Sequence, residues 1–134
     1  LAKKKSRPRS LAVSPDGRRF VVSSHDSQIR VFDFASGKLR RHYDESPAVF
    51  EAAHKAGTLK MDSIDFGKRL AFERELHNSK TAPPSNALFD ETGHFLLYPT
   101  LLGVKVVNIE TNKLRRVLGR IETTERFLAL ALYQ

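Results

Sequence analysis

Two stretches of this chain repeat each other. Residues 10–41 read "SLAVSPDGRRFVVSSHDSQIRVFDFASGKLRR", and residues 86–116 read "NALFDETGHFLLYPTLLGVKVVNIETNKLRR". Ile29, Val31 and Asp33 fall opposite Val104, Val106 and Asn108, 75 positions further on. Lys38, Leu39, Arg40 and Arg41 meet Lys113, Leu114, Arg115 and Arg116 at the same spacing. Gly17 meets Gly93 at 76, so the second copy loses one residue after that turn. An internal repeat constrains the fold before any other signal does. Both copies must take the same local structure, and each can bury its apolar face against the other.

Each copy carries four strand signals. In the first they cover residues 11–14, 19–24, 28–34 and 38–42; in the second, 87–90, 94–98, 104–109 and 113–118. Turn chemistry separates them: "SPDG", "HDSQ" and "ASGK", then "DETG" and "ETNK". Pro15 followed by Asp16-Gly17 favours a tight reversal. In the third segment Ile29 and Val31 point one way and Phe32 and Phe34 the other, so both faces are apolar and the sheet expects a neighbour on each side. "KLRR" is mostly charged, as suits an outer edge strand. Four antiparallel strands of this kind predict one blade of a β-propeller, and two blades leave a propeller incomplete. The fold class expected is therefore all-β with a helical insertion.

Repeats of this type recur at about 40 to 45 residues, and the spacing here is longer. Residues 44–85 show no set of four strand signals and read as an insertion. "MDSIDFGKRLAFEREL" predicts a helix near residues 62–77. Asp62 caps it and Asp65 favours its N-terminus. Ile64, Leu70, Phe72 and Leu76 supply a loose apolar side, and Gly67 weakens the helix. "TAPPSN" then enforces extended chain.

"SPDGRRFVVSSHDSQIRVFDFASGKLRR" resembles a WD-repeat blade, with Phe32-Asp33 where that family usually has Trp-Asp and Asp26 at its tight-turn acid. The second copy is degenerate, with Val107-Asn108 at the dipeptide and no match to Asp26. "IDFGKRLAFEREL" together with the second copy and "VLGRIETTERFLALALYQ" is similar to the WD-repeat portion of the nuclear WD-repeat cyclophilins, which join a propeller to a peptidyl-prolyl isomerase domain. The resemblance implies a nuclear location and spliceosomal or chromatin partners, histone tails among them. It divides the chain into the end of a preceding blade (1–9), a blade (10–43), the insertion (44–85), a degenerate blade (86–120) and the first strand of a following blade (121–134).

Composition narrows the chemistry. The 134 residues include no cysteine, which excludes disulfides and thiolate metal sites. The longest apolar run, residues 127–133, is too short to span a bilayer. Leu1 stands where Met would begin a chain and no signal-peptide pattern follows, so a piece of a longer protein is expected. The five histidines show no metal-ligand spacing. Ser23, Ser24, His25 and Asp26 are adjacent on one strand end, and alternate side chains there diverge, so they predict no hydrolytic triad. No phosphate-cradling glycine motif is present. Neither a cofactor nor a metal is expected.

The formal charge is +8, spread along the chain except for the cluster Lys3, Lys4, Lys5, Arg7 and Arg9. "KKKSRPR" reads as the outer strand of a preceding blade or as a nuclear localisation signal. Loops on one propeller face make Arg7, Arg9, His25 and Asp26 candidate peptide-binding residues. Against that stands a bland reading: Asp26 stabilises its own turn and the arginines are solvated. Phe72 and Leu76 are candidates for docking a partner, or for covering their own fold. The function expected is a non-catalytic interaction platform of a nuclear cyclophilin. The alternative is structural support for a peptidyl-prolyl isomerase whose catalytic domain lies outside this chain. Direct RNA contact by the basic face is a further alternative. Uncovered apolar blade faces predict that the chain either pairs with copies of itself or is a piece of a larger protein.

Overall fold

The two tight turns of the repeat are built alike. In the first, Ser14 Oγ donates to Asp16 Oδ1 at 2.6 Å, and the Arg18 and Arg19 amides donate to Asp16 Oδ1 and Ser14 Oγ at 3.0 Å each. In the second, Asp90 accepts from Thr92 Oγ1 at 2.8 Å and from the Phe95 amide at 3.1 Å. Gly17 and Gly93 take positive φ angles of 73° and 76° at the same place in each, which a Cβ would disfavour.

The computed structural model describes residues 8–78 and 86–118. Strands β1 (Pro8–Val13), β2 (Arg19–Ser24), β3 (Gln28–Asp33) and β4 (Leu39–Asp44) form one antiparallel sheet in sequence order. Helices α1 (Pro47–Lys55) and α2 (Ser63–Asn78) follow. Strands β5 (Leu88–Phe89), β6 (Phe95–Thr100), β7 (Gly103–Asn108) and β8 (Lys113–Leu118) form the second sheet, again in sequence order. The residue lost from the second copy is missing from the turn between its second and third strands, where Leu101 and Leu102 replace His25, Asp26 and Ser27.

The description as all-β with one helical insertion is corrected. The insertion holds two helices, whose Phe50, Phe66 and Leu70 form a second apolar cluster with Leu101 and Leu102 of the β6–β7 turn. Helix α1 has a start signal in Ser46-Pro47, since proline at the first helical position is preorganised for the turn. Helix α2 begins as expected: Asp62 Oδ2 accepts from the Ile64 and Asp65 amides at 3.2 Å each. Its buried side differs from the expected one. Phe66, Arg69, Leu70 and Glu73 face inward at helical spacing, while Ile64 is 70% and Phe72 45% exposed. Two charged side chains thus sit on the buried stripe, which a purely apolar pattern search passes over. The cluster around Arg7, the extended "TAPPSN" stretch and the expected strand at 121–134 fall largely or wholly outside the described residues.

The two sheets pack inner face to inner face. Val21, Ile29 and Val31 meet Phe89, Leu96, Tyr98, Val107 and Ile109 in one core. Polar groups seal the open rim. Arg41 donates from Nε to the Ile109 carbonyl at 2.9 Å and from Nη2 to the Glu110 carbonyl at 3.2 Å. Arg19 and Arg40 pair with the Glu110 carboxylate at 2.5 and 3.7 Å, and Tyr43 donates to Asn112 Oδ1 at 2.7 Å. The hydrogen bond from Arg19 holds the Glu110 carboxyl below its ordinary 4.5, against slight desolvation and aided by the charges of Arg19 and Arg40. A carboxyl with a lower pKa when folded stabilises the fold above its unfolded value and loses that contribution as pH falls through the folded one. Urea unfolding should therefore show stability declining as pH drops below 4.5. Glu110→Gln should lower stability at neutral pH and flatten that decline, and an unchanged pH slope in the variant contradicts this role.

Candidate functional site

At the other end of the sheets, β4 runs into α1 and the β6–β7 turn reaches under the helices. Glu45 follows β4 directly and is anchored by its amide, which donates to the Ser27 carbonyl at 3.0 Å. Its carboxylate is buried between the sheets. Lys105 Nζ donates to both oxygens, at 3.0 and 2.8 Å, and the Tyr98 hydroxyl donates to Oε1 at 2.8 Å. Lys105 also lies 5.1 Å over the Phe50 ring, and Tyr43 stacks on Tyr98 with centroids 6.1 Å apart. Burial, then the neighbouring Glu45 charge, pushes the Tyr98 hydroxyl far above its usual range, so it stays a proton donor to the carboxylate.

This arrangement fixes structure. The carboxylate accepts three hydrogen bonds, two from an ammonium and one from a phenol, and these tie β4's end to β6 and β7. A buried pair of this kind roughly balances desolvation against attraction, whereas removing one partner strands the other. Lys105→Met should destabilise the chain by about 3 kcal/mol in urea unfolding. Adding Glu45→Leu should restore most of that loss. A double variant no more stable than Lys105→Met contradicts the account.

A buried cation, Arg30, sits on the opposite face of the first sheet. Its Nη1 donates to Ser24 Oγ at 3.2 Å, its Nη2 lies 3.6 Å from Asp26 Oδ2, and its Nε is buried with no hydrogen-bond partner. Asp26 also accepts from the Gln28 amide at 3.3 Å. Gln28 continues the network by donating to Asp44 Oδ1 at 2.8 Å and bonding His42 Nε2. Around α2, Arg69 Nη1 donates to the Leu101 carbonyl at 3.1 Å, and His54 stacks on Phe66 at 4.2 Å.

The residues singled out in the sequence are scattered over these features. His25 and Asp26 form the β2–β3 turn, half-buried, with Asp26 serving that turn and Arg30. Arg9 lies in β1. Phe72 faces solvent and Leu76 is half-buried on α2. Arg7 lies outside the described residues. Sequence reasoning missed Glu45, Lys105, Tyr98 and Arg30. The available signal was a charge in mid-strand among apolar neighbours, in "QIRVF" and "GVKVV". Among the described residues no group of three or more histidine, aspartate or glutamate side chains gathers as a metal site.

Comparison with known proteins places the chain. No family model matches it. It is 48% identical over 127 residues to peptidyl-prolyl cis-trans isomerase CYP71 of Arabidopsis thaliana, covering 93% of this chain and 20% of that protein. It is 47% identical over 135 residues to peptidyl-prolyl cis-trans isomerase cyp15 of Rhizopus delemar, covering 98% and 21%. Its homologues are peptidyl-prolyl cis-trans isomerases. The human relative, peptidylprolyl isomerase domain and WD repeat-containing protein 1, is 43% identical over 134 residues, 100% of this chain and 20% of that isomerase. The chain spans about a fifth of the length of the curated isomerases it matches.

These matches overturn two expectations. Isomerases match the chain over 93% to 100% of its length. The fold is accordingly described as two four-stranded antiparallel sheets with a helical pair, and the designation as WD-repeat propeller blades is dropped. Neither the non-catalytic platform nor the purely supporting role is retained as the function. The physical reason is that a four-stranded antiparallel pattern with a charged edge does not itself carry an activity.

Proposed function

We propose that the protein containing this chain catalyses peptidyl-prolyl cis-trans isomerisation. The support is homology to isomerases along nearly the whole chain, at 48% and 47% identity for two of them. Rotation about a peptide bond faces a barrier of about 18 to 20 kcal/mol because resonance stiffens the C–N bond. At proline the two isomers lie within about 1 kcal/mol, so the obstacle is kinetic and a catalyst has a substrate in every X–Pro bond. The reaction makes and breaks no covalent bond. It asks for no nucleophile and no cofactor, only for a site that binds the twisted bond better than either planar form.

Nuclear location, and protein or peptide partners such as spliceosomal components or histone tails, are separate proposals whose support is the resemblance stated above. Imaging of the tagged full-length protein tests the first. The activity itself is tested by following cis-to-trans conversion of a proline tetrapeptide with the 134-residue chain and with the longer protein. Catalysis by the chain alone places the reaction within it. Catalysis by the longer protein alone places it in the remaining four-fifths. Uncatalysed rates with both overturn the proposal.

A further inference from the structure

The basic stretch "KLRR" occurs twice, and the two copies differ in what surrounds their charges. In the first, Arg40 pairs with Asp33 of its own sheet and with Glu110 beyond the second sheet's third strand, both at 3.7 Å. Arg41 lies opposite Val31 in register, so it faces the second sheet. It donates to the Ile109 and Glu110 carbonyls at 2.9 and 3.2 Å. A cationic edge beside an apolar face is thus met by a protein segment that brings a carboxylate and two carbonyls.

The second copy repeats the cations without their partners. Lys113, Arg115 and Arg116 are exposed on β8, the outer strand of its sheet. Among the described residues, no side-chain hydrogen bond or ion pair involves any of the three. Arg115 stands where Arg40 stands in the first copy, but Asn108 replaces Asp33. Asn108 is uncharged, and its Oδ1 already accepts from the Glu110 and Thr111 amides at 3.0 and 3.2 Å. Arg116 lies opposite Val106 in register, on the side of the second sheet that faces away from the first. Leu97, Val104 and Val106 line that side and are partly exposed, and Leu118 at its edge is 43% exposed. Arg116 therefore has the apolar surroundings of Arg41 but none of its acceptors. Like charges gathered without a counter-charge repel one another.

We propose that Lys113, Arg115 and Arg116 hold an acidic segment of the longer protein, from outside residues 1–134, against the outward face of the second sheet. Charge complementarity sets the chemistry: a carboxylate carried on an otherwise apolar stretch of chain. The apolar neighbours favour protein over nucleic acid, because a phosphate backbone is bound by cations along its length and gains little from leucine and valine. Tethering sets the source. The chain spans about a fifth of the length of the isomerases it matches, so most of such a protein is covalently joined to this surface. A joined segment competes at an effective concentration of up to about millimolar, well above that of a separate molecule in dilute solution. The proposal rests on the chain's being part of a longer homologue of those isomerases, and not on whether that protein catalyses.

The test uses the longer protein. A carbodiimide joins an ammonium to a carboxylate in contact with it, so Lys113 reports its own partner. Arg116→Lys adds a second reporter without changing the charge. Mixing unlabelled with isotope-labelled protein makes links within one molecule differ in mass from links between two. The expected product joins position 113 or 116 to an aspartate or glutamate outside residues 1–134 of the same molecule. Links only to carboxylates within residues 1–134, links between molecules, or no link at all overturn the proposal. Arg116→Glu gives an independent reading of sign. With an acidic partner in place it should lower the melting temperature of the longer protein, more at low salt than at high. Without one it relieves repulsion from Lys113 and Arg115, and a melting temperature that rises or stays the same overturns the proposal. Replacing the linked carboxylate by lysine alongside Arg116→Glu should recover the loss. Isomerase activity enters neither readout, so an inactive protein leaves both results legible.

Discussion

Neither four-stranded sheet can bury its apolar inner face alone. The contact between Val21, Ile29 and Val31 on one side and Leu96, Tyr98, Val107 and Ile109 on the other therefore conditions the rest of the structure. It joins residues far apart in sequence, so its formation must offset the entropy of closing a long loop. The chain bridges that loop with two helices, which carry a second cluster against the β6–β7 turn. Arginine donors on β2 and β4 close one rim, and the Glu45 carboxylate with its lysine and tyrosine closes the other. The apolar contact supplies most of the driving force. The polar groups at its margins are directional, and they fix how the two sheets are set against each other.

Much of the secondary structure was legible because its signals are local. Asp16-Gly17 and Thr92-Gly93 mark the two tight turns, and the repeat spacing transfers strand positions from the clear copy to the degenerate one. The observed ends of β2 and β8 coincide with the expected ones, whereas β5 shrinks to two residues. Helix α2 was legible from its Asp62 cap, but its buried side was not. Arg69 faces inward because its guanidinium reaches the Leu101 carbonyl, and no periodicity rule anticipates a partner supplied by a distant turn. Helix α1 carried a proline start signal that strand-focused reading overlooked.

The charges in mid-strand show the same limit. Lys105 and Arg30 each interrupt an apolar strand, a pattern that announces a special position without naming the partner. Glu45 becomes that partner for Lys105 only after the sheets pack. Function was less legible still. The resemblance of the insertion and second copy to an isomerase family agrees with the homologues, while the division of labour drawn from the strand pattern did not hold. A pattern of strands reports how backbone groups are satisfied, and that leaves the chemistry of the protein open.

The one-residue shortening of the β6–β7 turn has a consequence for the repeat itself. Where the first copy exposes a polar turn around Asp26, the second presents Leu101 and Leu102 to the helical pair. The helices are joined by the chain to the end of the first sheet, yet they are glued by these leucines to the second. They act as a strap that is tied at one copy and buckled at the other. Two units that began as equivalents are in this way made non-interchangeable, and the order in which they follow one another is written into the packing.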